Sequence, residues 1–348
     1  MTRSLLVASA ALTLSLLPTP GTVERLSAQE PPITTFRSSI DVVSVSAVVR
    51  DRKGRFVGNL ERKDFIVAEA GQTRPILDFR AQADGPVKLA MLFDISGSMR
   101  VGTKAVDARQ AARHIFGALK PGDEAAVFSF DTRLDRVTPF TSDIPSLETA
   151  LDHVQSPYGQ TSLYDAVAET ARMVAAEGPG KGRVPQRSAV VVLTDGVDTR
   201  SRLTSEQVST IASSIDIPVY IVAVVSMIDD PRNAVGVPPE MTGALPDLSR
   251  WTGGEMFVAS APAHASLAAR QIVDELRHQY ILAFEASAHR EGWRPVEIRA
   301  RDSGLTVRAR AGYTSGTAGM PTGDPTARLN PSTDSLAHSD YIEARRQR

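Results

Sequence analysis

Three short segments carry the residue types from which a hard-cation site can be built. The first, LFDISGSM at Leu92 to Met99, ends an apolar run in Asp94 and follows it with Ser96, Gly97 and Ser98. Asp94, Ser96 and Ser98 stand at i, i+2 and i+4, so a tight loop can turn three oxygens toward one point, and Gly97 permits a sharp backbone path. The second, GQTSLYDAV, places Thr161 just before a helical pattern. The third, VVLTDGVDT, places Asp195 at the carboxyl end of another apolar run. Two carboxylates and three hydroxyls suit Mg²⁺ first, with Mn²⁺ and Ca²⁺ as alternatives, and none of the five is a soft ligand for zinc or copper(I).

Taken singly, Asp94 and Asp195 would read as helix caps; all five together point to a metal. Asp165 falls in the first turn of a helical pattern, where an acid suits the helix dipole, and Asp198 and Thr199 read as residues that cap or shape the third loop. His114, His153, His264, His278, His289 and His338 are scattered, with no pair at i, i+4. DISGS is not the Gly-x-Ser-x-Gly of a serine hydrolase. GPGKGR at Gly178 to Arg183 lacks phosphate-loop spacing. No His or Glu lies within the three motif loops to act as a general base, so the site reads as one that binds, and the chain as no enzyme.

The elements that must position these loops follow from texture. Between Ile40 and Phe79 the pattern is short and alternating: IDVVSVSAVV as a strand, RDRKGRF as a hairpin turn around Gly54, and DFIVAEAGQTRPILDF as two strands joined at Ala70-Gly71. From Val87, wholly apolar runs (KLAMLFD, EAAVFSF, SAVVVLTD, IPVYIVAVV) alternate with helical patterns at Lys104 to Leu119, Ser162 to Ala176, Ser205 to Ser214, Leu245 to Trp251 and Ala263 to Arg277. Apolar runs are what strands covered on both faces look like, and their alternation with helices predicts an α/β fold with a doubly wound, mostly parallel sheet. Ligands of such sheets sit outside the carboxyl ends of the strands, where all three motif loops fall. After His278 the β texture returns in QYILAFEAS, RPVEIRAR and LTVRARAGY. The expected organisation is an N-terminal β region at 38–82, the α/β domain at 87–277 with an exposed insertion from Ser226 to Thr242, and a C-terminal β region at 279–313. The two β regions read as one sandwich interrupted by the α/β domain, against the competing readings of two separate β caps or an extended central sheet. The composition of 314–348 predicts a disordered tail.

The pattern Asp-x-Ser-x-Ser, then Thr, then Asp resembles the metal-ion-dependent adhesion site of von Willebrand factor type A domains, with all five positions present as Asp94, Ser96, Ser98, Thr161 and Asp195. The resemblance covers about Val87 to Arg277. It implies that the serines and either Thr161 or Asp94 ligate directly or through water, that Asp195 often acts through water, and that an Asp or Glu of a partner protein takes the open coordination position. The flanking phrases ERKDFIVAEAGQTRPILDF and YILAF…RPVEIRAR…VRARAGY are similar to von Willebrand factor A-related proteins common in Acidobacteria.

Composition sets the remaining bounds. With 39 Lys and Arg against 40 Asp and Glu, nothing argues for nucleic acid or a polybasic membrane patch. Arg3 and the apolar run Leu5 to Leu17 read as a signal peptide over 1–28, cleaved after Ala28 or Gly21, with an uncleaved anchor as the alternative. The run is shorter than the roughly 20 residues of a transmembrane helix. Cysteine is absent, which excludes disulfides, a lipoprotein anchor and thiolate chemistry. The expectation is an exported, periplasmic or extracellular protein that binds a protein or extracellular polymer presenting an acidic group, through a divalent cation. A scaffold subunit of an envelope complex is the rival reading, and a metal-dependent hydrolase the third.

Overall fold

The computed structural model describes residues 42–81, 85–154, 158–177, 187–225, 244–287 and 292–315. The expected signal peptide, the insertion at Ser226 to Thr242 and the GPGKGR loop lie outside the described residues. No helix among the described residues is long and apolar enough to cross a membrane.

The centre is a six-stranded sheet built from β5 (Val87–Asp94), β6 (Glu124–Phe130), β7 (Leu134–Thr141), β8 (Arg187–Thr194), β9 (Val219–Val224) and β10 (Met256–Ala259), in the order β10-β9-β8-β5-β6-β7. All neighbours are parallel except β6 and β7, which form an antiparallel edge. Every residue of β5 and β9 is buried, because helices cover both faces. Along β5, Leu89, Met91 and Phe93 face a core shared with α1 (Lys104–Gly117), α2 (Ile144–His153) and α6 (Pro262–Arg277). Ala90 and Leu92 face the opposite core, shared with α3 (Leu163–Ala176), α4 (Ser205–Ser214) and α5 (Ala244–Thr252). This alternation is the period of two expected of a strand between two layers. The fold is therefore α/β, doubly wound and mostly parallel.

The segments before and after this block build two further antiparallel sheets. One, in the order β13-β1-β11-β4, contains β1 (Val42–Arg50), β4 (Ile76–Ala81), β11 (Tyr280–Glu285) and β13 (Thr306–Ala309). The other, in the order β14-β12-β2-β3, contains β2 (Phe65–Glu69), β3 (Gln72–Arg74), β12 (Gly292–Ala300) and β14 (Gly312–Ser315). Their inner faces share one core that includes Val45, Val67, Leu282 and Ile298, and Phe65 packs on Tyr280 across the gap with ring centroids 5.0 Å apart. The chain leaves this sandwich through β4 and re-enters it through β11, which pair with each other from Tyr280 opposite Ala81.

Three local readings are corrected. The turn around Gly54 closes only one bridge, Arg50 to Phe56, after which the chain crosses to the other sheet, so β1 and β2 form no hairpin. DFIVAEAGQTRPILDF yields three strands rather than two, because Pro75 has no N–H to continue the ladder and β4 pairs in the opposite sheet. LTVRARAGY divides between β13 and β14, and β14 runs on through Thr314 and Ser315, inside the stretch read as tail. The strands β7 and β10 and the helix α2 were not visible in the pattern.

The sandwich docks where the central strands begin. Glu275, in the last turns of α6, is fully buried and forms ion pairs with Arg50 of β1 and Arg308 of β13, while Arg308 also pairs with Glu255 just before β10. Burial pushes the Glu275 carboxyl up, against the opposing pull of Arg308 and Arg50. Arg310 donates to the carbonyls of Ser213 and Ser44 and lies 3.4 Å from Asp216, and Ala311 N–H donates to Trp251 O at 2.9 Å. Removing one member of a buried ion pair strands the others away from water. Glu275→Ala is therefore expected to lower the unfolding free energy by about 3 kcal/mol or more, read from urea denaturation followed by circular dichroism.

Candidate metal centre

At the opposite edge of the sheet, β5 ends in Asp94 and β8 ends one residue before Asp195. The two strands are direct neighbours, with Phe93 opposite Leu193, so both carboxylates emerge side by side. Asp94 is 3 % and Asp195 5 % exposed, a degree of burial that charged groups tolerate only with partners. Asp94 Oδ1 accepts the Ser96 N–H at 2.8 Å and Oδ2 accepts the Thr194 hydroxyl at 2.6 Å. Ser98 Oγ donates to Asp195 Oδ1 at 3.1 Å and lies 3.1 Å from Ser96 Oγ. Lys104 Nζ, at the start of α1, donates to Asp195 Oδ2 at 2.9 Å. Burial pushes the Asp94 carboxyl up to about 6, and the Asp195 charge adds in the same direction against the hydrogen bonds from Ser96 and Thr194.

Thr161, 2 % exposed, is held through its backbone. Its N–H donates to Thr199 Oγ1 at 2.9 Å, and its carbonyl accepts from Thr199 N–H at 3.0 Å and Arg200 N–H at 2.8 Å. The Thr161 loop is tied in turn to the Asp94 loop, by Gly97 N–H to Gly159 O at 2.9 Å and Tyr158 N–H to Ile95 O at 2.7 Å. Gly97 serves this contact rather than a sharp turn. It is not among the glycines with positive φ, but a Cβ there would stand 3.2 Å from Gly159 O.

All five residues named from the sequence thus lie on three hydrogen-bonded loops at one sheet edge, four of them linked by side chain or by an adjacent N–H. Asp198 and Asp165 bind these loops together. Asp198 Oδ1 accepts Leu163 N–H at 2.8 Å and the Ser201 hydroxyl at 2.6 Å, while Ser201 Oγ accepts Tyr164 N–H at 2.9 Å. Side chains of the third loop therefore satisfy the first amides of α3 that no helical carbonyl can reach. Asp165 returns the contact, accepting Leu203 N–H at 2.9 Å. Thr194 and Lys104 were missed. Thr194 had a faint signal in its position beside Asp195; Lys104 had none beyond lying near the start of α1.

Residues 89–197 match the family model of the von Willebrand factor type A domain. The chain contains a von Willebrand factor type A domain. Its fold is similar to BatB, a conserved hypothetical protein of Bacteroides thetaiotaomicron, at 19% identity over 55% of this chain and 98% of that one, TM-score 0.45. It is also similar to a von Willebrand factor type A protein of Catenulispora acidiphila, at 12% identity over 80% and 74% of the two chains, TM-score 0.44. A third is proximal thread matrix protein 1 of the mussel byssus with a zinc-occupied adhesion-site motif, at 18% identity over 61% and 50%, TM-score 0.44. No curated protein matches the chain.

The donor chemistry of this von Willebrand domain fits a hard divalent cation, since all five side chains offer oxygen and the two carboxylates offset its charge. Among the described residues, no group of three or more His, Asp and Glu offers a competing site. Asp94, Ser96, Ser98, Thr161 and Asp195 are the residues that would hold the ion. Because Asp198 caps α3 from the third loop, Asp198→Ala is expected to cost about 1–2 kcal/mol. Hydrogen–deuterium exchange should show faster exchange at the Leu163 amide than at the buried amides of β5.

Proposed function

We propose that the domain holds one divalent cation, Mg²⁺ before Mn²⁺ or Ca²⁺, through Asp94, Ser96, Ser98, Thr161 and Asp195, and uses it to bind an acidic group on a protein or extracellular polymer. The observation that carries this reading is the convergence of the two buried carboxylates with Ser96 and Ser98 at the carboxyl end of two adjacent strands. A bound ion would supply an electrophilic position open to a carboxylate from outside. The chain's own part is to fix the donors: Thr194 and the Ser96 N–H orient Asp94, Ser98 orients Asp195, and Thr199 holds the Thr161 backbone. The three loops hold no His or Glu to act as a general base, which supports binding over hydrolysis. Export completes the reading, resting on Arg3 and the apolar run Leu5 to Leu17.

Calorimetric titration of Mg²⁺, Mn²⁺ and Ca²⁺ into chelator-stripped protein tests the site. The expected result is one ion per chain, lost in Asp94→Ala; no binding of any ion by the native chain sinks the metal reading and leaves the scaffold reading standing.

The pH dependence has a definite sign. Asp94, with its carboxyl raised to about 6, holds a proton below that pH, and the ion must displace it. Apparent affinity is therefore expected to fall about tenfold between pH 7.5 and pH 5, measured by the same titration in matched buffers. An affinity unchanged over that range would count against Asp94 as a ligand.

A further inference from the structure

Lys104 stands in a position that ordinary helix energetics disfavour twice. It is the first residue of α1, where the helix dipole repels a cation, and its side chain is only 8 % exposed. The amide end of a helix and a buried setting both raise the energy of an ammonium group. The compensation is Asp195, whose Oδ2 lies 2.9 Å from Lys104 Nζ, with the Ser98 carbonyl at 3.5 Å. Asp195 is thus gripped at both oxygens, Oδ1 by the Ser98 hydroxyl and Oδ2 by Lys104.

We infer that Lys104 is a tethered counter-ion that sets the charge of the metal centre and thereby the class of ligand it takes. The inference rests on the metal reading above. Asp94 and Asp195 alone would neutralise a dication and hold it tightly, with no electrostatic demand for a further anion. With Lys104 beside them, two carboxylates, one ammonium and a dication leave one net positive charge. The chain gives up metal affinity, and the loaded site requires one negative charge from its ligand. A monoanionic carboxylate is matched by this remainder; a neutral hydroxyl or amide is not. Lys104 also holds the Asp195 carboxylate in place before the ion arrives.

The direction of the effect separates this role from a structural one. A residue that merely propped up the loops would weaken metal binding when removed, whereas a repelling ammonium strengthens it. Calorimetric titration of Mn²⁺ at pH 7.5 into the full chain, native, Lys104→Met and Lys104→Arg, reads the difference. Lys104→Met, which keeps the length of the stem, is expected to bind Mn²⁺ about tenfold more tightly or better, the effect of deleting one positive charge a few ångströms away in a partly buried site. Lys104→Arg keeps the charge and should stay within about threefold of the native value. In excess chelator, Lys104→Met should melt below the native chain, and adding Asp195→Asn should restore the midpoint by removing the stranded carboxylate. Should Lys104→Met fold poorly, Lys104→Gln tests the same sign with a polar side chain. Equal or weaker Mn²⁺ binding by a folded Lys104→Met, beside measurable binding by the native chain, overturns this inference alone. Absence of binding by the native chain and the variant alike overturns the metal reading together with it.

Discussion

Two carboxylates at the ends of adjacent buried strands form the constraint around which the site is organised. Asp94 and Asp195 are almost completely removed from water, and like charges so placed repel. Each oxygen of the pair is accordingly given a donor: a backbone N–H, a threonine hydroxyl, a serine hydroxyl and an ammonium. Even so, the Asp94 carboxyl holds its proton more firmly than an exposed aspartate would. Hydrogen bonds alone leave part of the desolvation cost of Asp94 uncompensated.

The same sheet dictates where everything else can go. Its strands are covered by helices on both faces, so only its two ends can carry polar chemistry. The carboxyl ends hold the candidate metal centre, and the amino ends receive the sandwich through Glu275, Arg50, Arg308 and Arg310. Because β4 and β11 are neighbours in the sandwich, the chain leaves and re-enters it at adjacent points. The 16 residues of α6, about 24 Å of helix, run between the two edges, with Arg277 anchored on Asp123 and its carbonyl on Arg187. The helix α6 contributes both to the core beneath the motif loops and to the charge cluster beneath the sandwich.

What could be read from the sequence follows from whether a residue's role depends on near neighbours or distant ones. The strands β5, β6, β8 and β9 were legible because burial on both faces makes them uniformly apolar, and Asp94, Ser96 and Ser98 because their geometry is local. The short edge strand β10 and the half-exposed β7 lack that uniformity. The sandwich strands were legible as β texture, but their pairing was not. Pro75 and the break between β13 and β14 switch the chain between sheets, and nothing within a few residues records which sheet receives it. Lys104 was invisible for the same reason: its partner Asp195 lies 91 positions away, and a lysine near a helix start ordinarily reads as a solvated side chain.

The five motif residues are also not five independent ligands. Thr161 owes its position to Thr199, and the helix that follows it owes its first amides to Asp198 and Ser201, all on the loop that begins with Asp195. The Asp94 loop is fastened to the Thr161 loop through Gly97 and Gly159. Displacing any one loop therefore disturbs donors on the other two, and the effects of changes within this network cannot be summed as separate contacts. The unit that the fold supplies is the linked triplet of loops. The five oxygen-bearing residues are the part of that unit whose spacing a sequence can display; the hydrogen bonds that make it rigid lie in residues that no short motif contains.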